Sequence, residues 1–430
     1  MVHSRMNVFS FVLVFSLALT ACRNTYIRTV GVNQESSTSA ESLAPTGQKI
    51  SASWYLTCAI VNTAGEVYCW GANFNREIGD NTVINRSTPV KVLGISGATS
   101  VVAAQTHACA IVSGDVYCWG NRTIYNTLGD NGPAVNPSYS GPSAVQVVGL
   151  PAGGVTSLAA SASGPHTCAL ANGAAYCWGW EKYGQMGNGT GDGTNATNIG
   201  SPVVQVTGLS SGVTAIAAGD KHVCAVHNGA VKCWGLNCWS MGGAADCGGA
   251  NAFGQLGDNL ASAPFSTTPV QVQGLTSGAT AVALGQFSSC AVVNGGVQCW
   301  GRNVNGQLGD GTNTSSAVPV QVSGLPPGSG VTAIAGGLLG YCALVNGAVK
   351  CWGSNTYGEL GNGISGVASS VPVDVVGLAS NVSYIARGAI HSCAIQSDVL
   401  KCWGNNSIYG NVGDGSGVQQ NNPVSVLQTW

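Results

Sequence analysis

A stretch of about twelve residues that closes on Cys-Trp-Gly returns seven times along the 430-residue chain. Its closing cysteines lie between 49 and 66 positions apart, with Gly- and Asn-rich segments between the copies. Self-similarity at this spacing indicates one supersecondary unit that buries its apolar faces against its own repeats. The repeat therefore constrains the fold more strongly than any local pattern. The seven copies begin at Cys58, Cys109, Cys168, Cys224, Cys290, Cys342 and Cys393.

The centre of each copy predicts a β-hairpin. Four copies place Asn-Gly there between apolar residues, and a two-residue type I′ turn requires positive φ at both positions. Counting outward from Asn172-Gly173 sets Cys168 opposite Cys177 at a non-hydrogen-bonded pair, where Cα atoms approach to about 4.5 Å and a disulfide can form. Buried free cysteines and zinc ligation are the alternatives. Zinc is disfavoured because its paired cysteines usually lie only a few residues apart.

We therefore predict one disulfide in each hairpin and one more in an insertion after the fourth hairpin. Bridges of this kind require an oxidising compartment, so they also predict export from the cytoplasm. The predicted bridges are Cys58–Cys69, Cys109–Cys118, Cys168–Cys177, Cys224–Cys233, Cys238–Cys247, Cys290–Cys299, Cys342–Cys351 and Cys393–Cys402.

The N-terminus carries the features of an export signal. A basic patch with His3 and Arg5 precedes an apolar run from Val8 to Ala21, which is too short to cross a membrane as a helix. The run ends in Leu-Thr-Ala before Cys22, and this resembles the lipobox of bacterial lipoproteins, in which the cysteine is lipidated after cleavage. An ordinary signal peptide is the alternative. Cys22 is also the odd member among 17 cysteines, which favours lipidation.

The chain therefore divides into three predicted segments. Residues 1–21 form a lipoprotein signal peptide, residues 22–48 the lipidated cysteine with a flexible polar linker, and residues 49–430 the folded repeats. We expect the protein to be exported and anchored in a membrane through its N-terminal lipid. The anchor would place it on the periplasmic face or the cell surface, with the outer membrane favoured.

Each repeat unit contains about four short strands. In the fifth unit they are the small-residue strand Thr280–Gly285, the two strands of the Cys290–Cys299 hairpin, and Val318–Val322 beyond a Gly-rich turn. The predicted fold class is all-β, a seven-bladed β-propeller. The last unit ends on Asn422–Val426 without a further small-residue strand, and Lys49–Ser53 matches that strand. We therefore expect N- and C-terminal strands to close the ring within one blade.

The full motif of a unit runs G-x-x-H-x-C-A, then W-G-x-N-x-x-G-Q-L-G-D, then P-V-x-V-x-G-L, and Gly219–His222 and Gly306–Asp310 match it closely. It resembles the repeat of the regulator-of-chromosome-condensation (RCC1-like) family, and the paired cysteines resemble secreted bacterial members. The resemblance implies a seven-bladed propeller over residues 49–430. The family's founder accelerates nucleotide exchange on a nuclear small GTPase. An exported lipoprotein would not meet that partner, so the activity is not carried over from the fold.

The signature histidine of this motif is present in four units and replaced in three. The His-x-Cys spacing sets both side chains on one strand face, which makes them a possible ligand pair. We favour instead a structural histidine that is hydrogen-bonded within its own blade. The histidines are His107, His166, His222 and His391, and the replacements are Leu56, Ser288 and Gly340.

Two common signatures of catalysis are missing from the sequence. No H-E-x-x-H or P-loop occurs, and we expect no enzyme activity and no cofactor. A net charge of −2 gives no basic footprint for nucleic acid. Acidic Gly-Asp turns could hold calcium, but one carboxylate per turn without a bidentate glutamate is a poor ligand set, so turn formation is favoured and calcium stays open. The turn residues are Asp80, Asp130, Asp258, Asp310 and Asp414, with Asn188 and Asn362 in the other two.

One insertion breaks the repeat after the fourth hairpin. Cys233 and Gly254 are 21 positions apart, against seven from Cys299 to Gly306, which leaves 14 additional residues. Propellers bind through such loops on one rim, because the blades fix the loops without constraining their sequence. A neutral insertion held by a disulfide is the alternative. The candidate binding residues are Asn237, Trp239, Met241 and Asp246, and smaller excesses occur at 132–140 and 189–199.

Together these features predict a lipid-anchored, extracytoplasmic propeller that binds a protein or cell-envelope ligand without catalysis. Its partners would be that ligand and the membrane, with no nucleic acid. Two alternatives stay open. One is guanine-nucleotide exchange, which the family resemblance implies. The other is an enzyme with its site in the central channel, which would need converging charged residues that the sequence scarcely offers.

Overall fold

The computed structural model describes residues 47–122, 125–132, 144–191, 193, 200–238, 253–260 and 263–427. Within these ranges the chain forms 28 strands in seven four-stranded antiparallel sheets, and none of the described residues is helical. The predicted all-β fold, a seven-bladed β-propeller, is confirmed. Among the described segments there is accordingly no helix long and apolar enough to span a bilayer.

Each blade is built from four strands that follow one another along the chain. Blade 1 contains β1 (Ile50–Ala52), β2 (Leu56–Ile60), β3 (Val67–Gly71) and β4 (Arg86–Lys91). Blade 2 contains β5 (Ala98–Ala103), β6 (His107–Val112), β7 (Asp115–Gly120) and β8 (Val145–Gln146). Blade 3 contains β9 (Val155–Ala160), β10 (His166–Ala171), β11 (Ala174–Trp180) and β12 (Gly200–Gln205). Blade 4 contains β13 (Val213–Ala218), β14 (His222–His227), β15 (Ala230–Leu236) and β16 (Phe265–Gln271).

The remaining three blades repeat this order. Blade 5 contains β17 (Ala279–Leu284), β18 (Ser288–Val293), β19 (Gly296–Gly301) and β20 (Ser316–Gln321). Blade 6 contains β21 (Val331–Gly337), β22 (Gly340–Val345), β23 (Ala348–Gly353) and β24 (Ser369–Asp374). Blade 7 contains β25 (Val382–Arg387), β26 (His391–Gln396), β27 (Val399–Gly404) and β28 (Gln420–Ser425).

The first strand of every blade lines the central channel, and the fourth forms the outer edge. Seven strands converge on the channel, so the side chains that line it are small, with one alanine from each blade: Ala52, Ala103, Ala159, Ala217, Ala283, Ala335 and Ala386. Six of the fourth strands contain a proline, which an edge strand tolerates because its outer side need not donate hydrogen bonds. These are Pro89, Pro202, Pro269, Pro319, Pro372 and Pro423.

The hairpin register is the predicted one. In four turns the asparagine has φ near +50° and the glycine that follows it has φ between +73° and +80°. Cys168 pairs with Cys177 across the ladder. All seven bridges predicted within hairpins are present, with Cα atoms 4.0–4.1 Å apart. Cys238 is disulfide-bonded as well, whereas its predicted partner Cys247 lies outside the described residues.

The ring closes in a different way from the prediction. β1 pairs with β2 in the first sheet and β28 pairs with β27 in the last, so the expectation of one blade shared by both chain ends is wrong. Blade 1 instead packs side by side on blade 7, where Nε1 of Trp70 donates to the carbonyl of Asn411 at 2.9 Å. Local pairing prevails because only residues 53–55 separate β1 from β2, and closing so short a loop costs little entropy.

The tryptophan of each Cys-Trp-Gly stretch joins two blades. The indole Nε1 donates, at 2.8–3.1 Å, to a backbone carbonyl of the preceding blade, in the turn just before the Gly-Asp position. The same tryptophan packs in a buried cluster with the disulfide of that preceding blade. One contact is thus repeated seven times around the ring. The donors and acceptors are Trp70 and Asn411, Trp119 and Glu77, Trp178 and Thr127, Trp234 and Gln185, Trp300 and Gln255, Trp352 and Gln307, and Trp403 and Glu359.

The signature histidines also join neighbouring blades. Nε2 of His107 lies 2.7 Å from Oγ1 of Thr167, and Nε2 of His391 lies 2.7 Å from Oγ1 of Thr57, each in the next blade around the ring. The prediction of a hydrogen bond within the blade is therefore wrong about the partner, although the role is structural. The hydroxyl of Thr57 donates to the carbonyl of Asn411, so it is free to accept from the imidazole.

Where histidine is replaced, its partner changes too. Ser288 meets Tyr341 of the next blade, with their hydroxyl oxygens 2.8 Å apart. Leu56 packs in one apolar cluster with Ala108. Beside Gly340, the buried Arg387 extends into the space and donates to the carbonyl of Ser354 at 3.0 Å.

The Gly-Asp turns stabilise their own loops. Oδ1 of Asp80 accepts from the amide and the hydroxyl of Thr82 at 2.9 and 2.7 Å, and Asp310 accepts from Thr312 in the same way. The carboxylates thus have the turn-forming role that the sequence favoured. Within the described ranges no cluster of three or more candidate metal ligands occurs.

Candidate binding face

The long connections gather at one end of the ring. Because neighbouring strands are antiparallel, the connections from first to second strands and from third to fourth strands leave from the same end of every blade. We call this end the loop face and the opposite end, with the Asn-Gly turns, the hairpin face. By chain order, the connections that contain the insertion after β15 and the segments 132–140 and 189–199 all leave from and return to strands at the loop face.

Asn237, one of the predicted binding residues, is part of the framework. It is fully buried. Its side-chain Nδ2 donates to the carbonyl of Leu260 at 3.0 Å, and its Oδ1 accepts from the backbone amide of Leu256 at 2.9 Å. Asn303 makes the same contact with Leu308 in blade 5. The prediction that Asn237 contacts a ligand is therefore wrong, since it is the asparagine of the W-G-x-N motif. The other candidates, Trp239, Met241 and Asp246, lie outside the described residues.

Five blades carry an aromatic residue at one repeat position on the loop face, two residues before the carbonyl that accepts the tryptophan Nε1–H. The other two blades have asparagine at this position, so the fold does not require an aromatic ring there. The five are Tyr125, Tyr183, Phe253, Tyr357 and Tyr409, and the two are Asn75 and Asn305.

Two groups of rings are built on this position, and the first spans blades 2 to 4. Ring centroids of Tyr125 and Trp180 are 6.2 Å apart, those of Trp180 and Tyr183 5.9 Å, and those of Tyr183 and Phe265 6.3 Å, all in edge-to-face geometry. Such pairs are favourable because the positive edge of one ring meets the negative face of the next. We call these four residues the blade-3 cluster.

Charged groups surround the blade-3 cluster. The ammonium of Lys182 lies 5.1 Å from the ring centroid of Tyr183, and that of Lys221 lies 6.0 Å from Trp180 and 5.8 Å from Tyr183. Cations at these distances are attracted by the ring faces. Lys221 also lies 4.0 Å from the carboxylate of Asp220. The cluster therefore combines apolar area with fixed cationic groups.

Asp220 lies at the loop-face opening of the channel, on the connection between β13 and β14. Burial raises the pKa of Asp220 to about 6, although Lys221 and hydrogen bonds from Ser163 and Gln286 act in the opposite direction. This carboxyl therefore changes charge at a mildly acidic pH.

The residues that flank the insertion are packed on this surface. Tyr183, Leu236, Cys238, Phe253 and Phe287 form one buried cluster, and the guanidinium carbon of Arg302 lies 5.6 Å from the ring centroid of Phe253. Leu236 and Phe253 lie on opposite sides of the insertion, so both of its ends are held by the core of blades 3 to 5. The ends thus have fixed positions beside the blade-3 cluster.

The second group of rings lies where blade 7 meets blade 1. Trp54 and Tyr55 are stacked at 5.7 Å, Tyr409 meets Tyr55 edge to face at 4.9 Å, and Phe74 meets Tyr409 edge to face at 5.2 Å. Phe74 is 58% exposed, and the neighbouring Ile408 is 47% exposed. We call Trp54, Tyr55, Phe74 and Tyr409 the seam cluster.

The central channel offers little chemistry. Alanine, valine, leucine and isoleucine provide most of its lining. Among the described residues, Arg387 is the one charged residue along its interior, and Asp220 lies at its loop-face opening. The guanidinium of Arg387 donates to the carbonyls of Tyr341 and Ser354 rather than to a ligand. Burial lowers the pKa of Arg387 to about 10, against the opposing attraction of Glu359.

Four segments of the chain, 64–111, 172–226, 294–343 and 346–395, match the regulator of chromosome condensation (RCC1) repeat. The ultraviolet-B receptor UVR8 of Arabidopsis thaliana is 30% identical over 347 residues, which cover 79% of this chain and 70% of the receptor. The chain belongs to the RCC1 repeat family. The described residues contain seven repeats of this kind, because Trp119, Trp234 and Trp403, which lie outside the matched segments, make the same contact as the other four tryptophans.

RCC1 repeats of similar sequence occur in proteins of very different length. Human E3 ubiquitin-protein ligase HERC2 is 28% identical over 277 residues, which are 62% of this chain but 5% of that ligase. Among solved structures, human WBSCR16 has a TM-score of 0.68 at 21% identity, covering 84% of this chain and 94% of its own. Yeast RCC1 (Prp20) bound to Kap60 has a TM-score of 0.68 at 18% identity, covering 95% and 92%. At identities of 21% and 18%, these two likenesses show a shared fold and nothing further.

Proposed function

We propose that this protein is a lipid-anchored, extracytoplasmic binding module that holds a protein or cell-envelope ligand on its loop face without catalysis. The observation that carries the proposal is the blade-3 cluster beside the insertion. Its rings are contributed by three blades. Tyr183 is packed in the core, and the partly exposed Tyr125 and Trp180 stand at positions where other blades also accept asparagine. Trp and Tyr are the residue types that dominate binding energy at protein interfaces.

Several features support an extracytoplasmic location. Seven buried disulfides suit an oxidising compartment, and the segment before Cys22 has the form of a lipoprotein signal. The described chain starts at Gly47 and Gln48, which line the channel opening on the hairpin face.

Guanine-nucleotide exchange is the second candidate, favoured by membership of the RCC1 family. A solved relative, Prp20p of Saccharomyces cerevisiae, is described with binding properties to Gsp1p and histones. An exchange assay with purified small GTPases tests this candidate. Faster nucleotide release in the presence of this chain would show that the protein acts in nucleotide exchange and is more than a binding module.

The binding proposal is tested by affinity capture from envelope extracts with the full lipidated chain in detergent. One variant removes residues 239–252, replaces them by a short Gly-Ser linker and carries Cys238→Ala. A second carries Trp180→Ala. We expect each to lose more than tenfold of the captured ligand, because truncation of an aromatic anchor costs about 2 kcal/mol or more. Starting the deletion at residue 239 preserves Leu236 and Asn237, which belong to the blade.

The matched control for Trp180→Ala is Thr332→Ala, at an exposed position on the hairpin face. This control should capture as much ligand as the wild type. Equal loss in the control and in Trp180→Ala would remove the support for recognition on the loop face.

A further inference from the structure

The seam cluster is a second surface with its own chemistry. Phe74 is 58% exposed on the loop face, and Ile408, next to Tyr409, is 47% exposed, so the rings belong to a contiguous apolar surface of the kind that marks interaction sites. Val304 occupies the equivalent position in blade 5, after the W-G-x-N asparagine, and is 49% exposed. The fold therefore accepts a smaller residue at the position of Phe74.

The other rings of the seam cluster are equally dispensable for the propeller. Trp54 and Tyr55 lie between β1 and β2, where blade 4 has Asp220 and Lys221. Four rings from two blades thus meet at places where at least one other blade has a smaller or a polar residue. Their convergence points to a ligand.

The chemistry of the seam cluster is neutral. Among the described residues, every cation–ring contact lies at blades 3 to 5, and none involves Trp54, Tyr55, Phe74 or Tyr409. Its polar neighbours are the tyrosine hydroxyls and Asn75. The side-chain amide of Asn75 accepts from Asn121 at 3.2 Å and donates at 2.7 Å to the carboxylate of Glu77, which is buried. Burial, Tyr409 and Tyr357 together raise the pKa of Tyr55.

We propose that the seam cluster is a binding site for a neutral polysaccharide. A hexopyranose ring has an apolar face of C–H groups that packs against the negative face of an aromatic ring, and hydroxyls around its edge that exchange hydrogen bonds with phenols and amides. Both halves of that chemistry are present at the seam, and none of its four rings makes a cation–ring contact among the described residues. Phe74 provides an exposed ring and Tyr409 a half-buried one, and the tyrosine hydroxyls and Asn75 provide the polar edge.

This inference goes beyond the proposed function and is tested apart from it, because the two sites lie on different blades. The probes are hexasaccharides of β-1,4-glucose, β-1,4-N-acetylglucosamine, α-1,4-glucose and mannose, titrated calorimetrically into the full chain. We expect at least one of them to bind. Raising salt from about 50 to about 500 mM should change Kd by less than twofold, since no ion pair contributes.

Substitutions assign the binding to the seam. Phe74→Ala and Tyr409→Ala should each weaken the probe at least tenfold, Phe74→Trp should keep it, and the matched Val304→Ala should leave Kd unchanged. Trp180→Ala in the blade-3 cluster should also leave it unchanged.

Three results would overturn the inference. These are no binding of any probe by the folded chain, binding that Phe74→Ala and Tyr409→Ala leave intact, or capture of a protein that depends on Phe74 while no saccharide binds.

Discussion

At the scale of single residues, His166 departs from its equivalents. Both of its ring nitrogens lack a hydrogen-bond partner within the described part of the chain, and the next blade places Val223 where Thr57 and Thr167 accept at other interfaces. Burial lowers the pKa of His166 to about 4, so the ring is neutral at neutral pH. A buried polar group without a partner costs roughly 1–3 kcal/mol. The interface between blades 3 and 4 is therefore less stable than it would be with a hydrogen-bond partner for His166.

The first prediction is that Val223→Thr stabilises the protein. The new hydroxyl has the shape of the lost methyl group and would accept from His166, so we expect the free energy of unfolding to rise by about 1 kcal/mol. Val226→Thr is the matched control, because Val226 is buried on the same strand without a histidine opposite. It should lower stability by about 1–3 kcal/mol. Urea titrations measure both, and equal loss in the two variants would contradict the account.

The second prediction concerns pH. Burial lowers the pKa of His391 to about 3, whereas an unfolded histidine has a pKa of about 6.5. Between these values the unfolded chain binds a proton that the folded chain does not, so stability falls as pH falls. His391→Leu with Thr57→Ala copies the apolar pair Leu56 and Ala108. We expect the slope of unfolding free energy against pH near pH 5 to decrease by about 1.4 kcal/mol per unit. An unchanged slope would mean that His391 is protonated in the folded protein.

At the scale of the element, the turn that receives each tryptophan explains why two distant parts of the repeat recur together. A Cβ added to Gly309 would lie 2.8 Å from Nε1 of Trp352. Gly309 also has a φ of +66°. The glycine of the turn and the tryptophan of the next hairpin therefore form one contact, although 43 positions separate Gly309 from Trp352 in the sequence.

The third prediction separates this packing from backbone strain. Gly309→Ala and Gly324→Ala both place a side chain at positive φ, but Gly324 has nothing within 4 Å of an added Cβ. We expect Gly324→Ala to cost about 1–2 kcal/mol from strain alone. Gly309→Ala should cost about 1–3 kcal/mol more, because the tryptophan has to move. Equal losses in denaturant titrations would show that the turn and the tryptophan are not tightly packed.

Sequence reasoning predicted the hairpins, their disulfides and the number of blades, because Asn-Gly turns and cysteine spacing specify local pairing. It did not predict partners across blade interfaces. Whether His391 bonds to its own blade or to Thr57 of blade 1 depends on packing between residues 334 positions apart. Asn237 could have been assigned correctly, since its W-G-x-N position is visible in the sequence. The aromatic repeat position shared by Tyr183 and Tyr409 was also visible in the sequence. Only the structure shows that this position lies on the loop face and brings rings of neighbouring blades together.

At the scale of the whole molecule, the strands β1 and β28 each stay in their own blade, so closure of the ring depends on the contact between blades 1 and 7. The seam cluster lies over that contact. The structure therefore places one aromatic surface at the closure of the ring and the other beside the insertion, both facing away from the end where residue 47 enters.

The fourth prediction concerns the anchor. Cys22→Ser should abolish acyl labelling and either release the protein from membranes or leave it unprocessed, because anchoring depends on the acyl chains attached there. Fractionation and mass spectrometry of the N-terminus measure this. Unchanged processing and membrane retention would contradict lipidation at Cys22.

The central claim, that recognition takes place on the loop face, is tested most directly by photo-crosslinking in living cells. A photoreactive phenylalanine replaces Trp180 on the loop face in one variant and the exposed Thr332 on the hairpin face in another. The account predicts covalent adducts with an envelope component from position 180 and none from position 332. Adducts from position 332 with none from position 180 would contradict it.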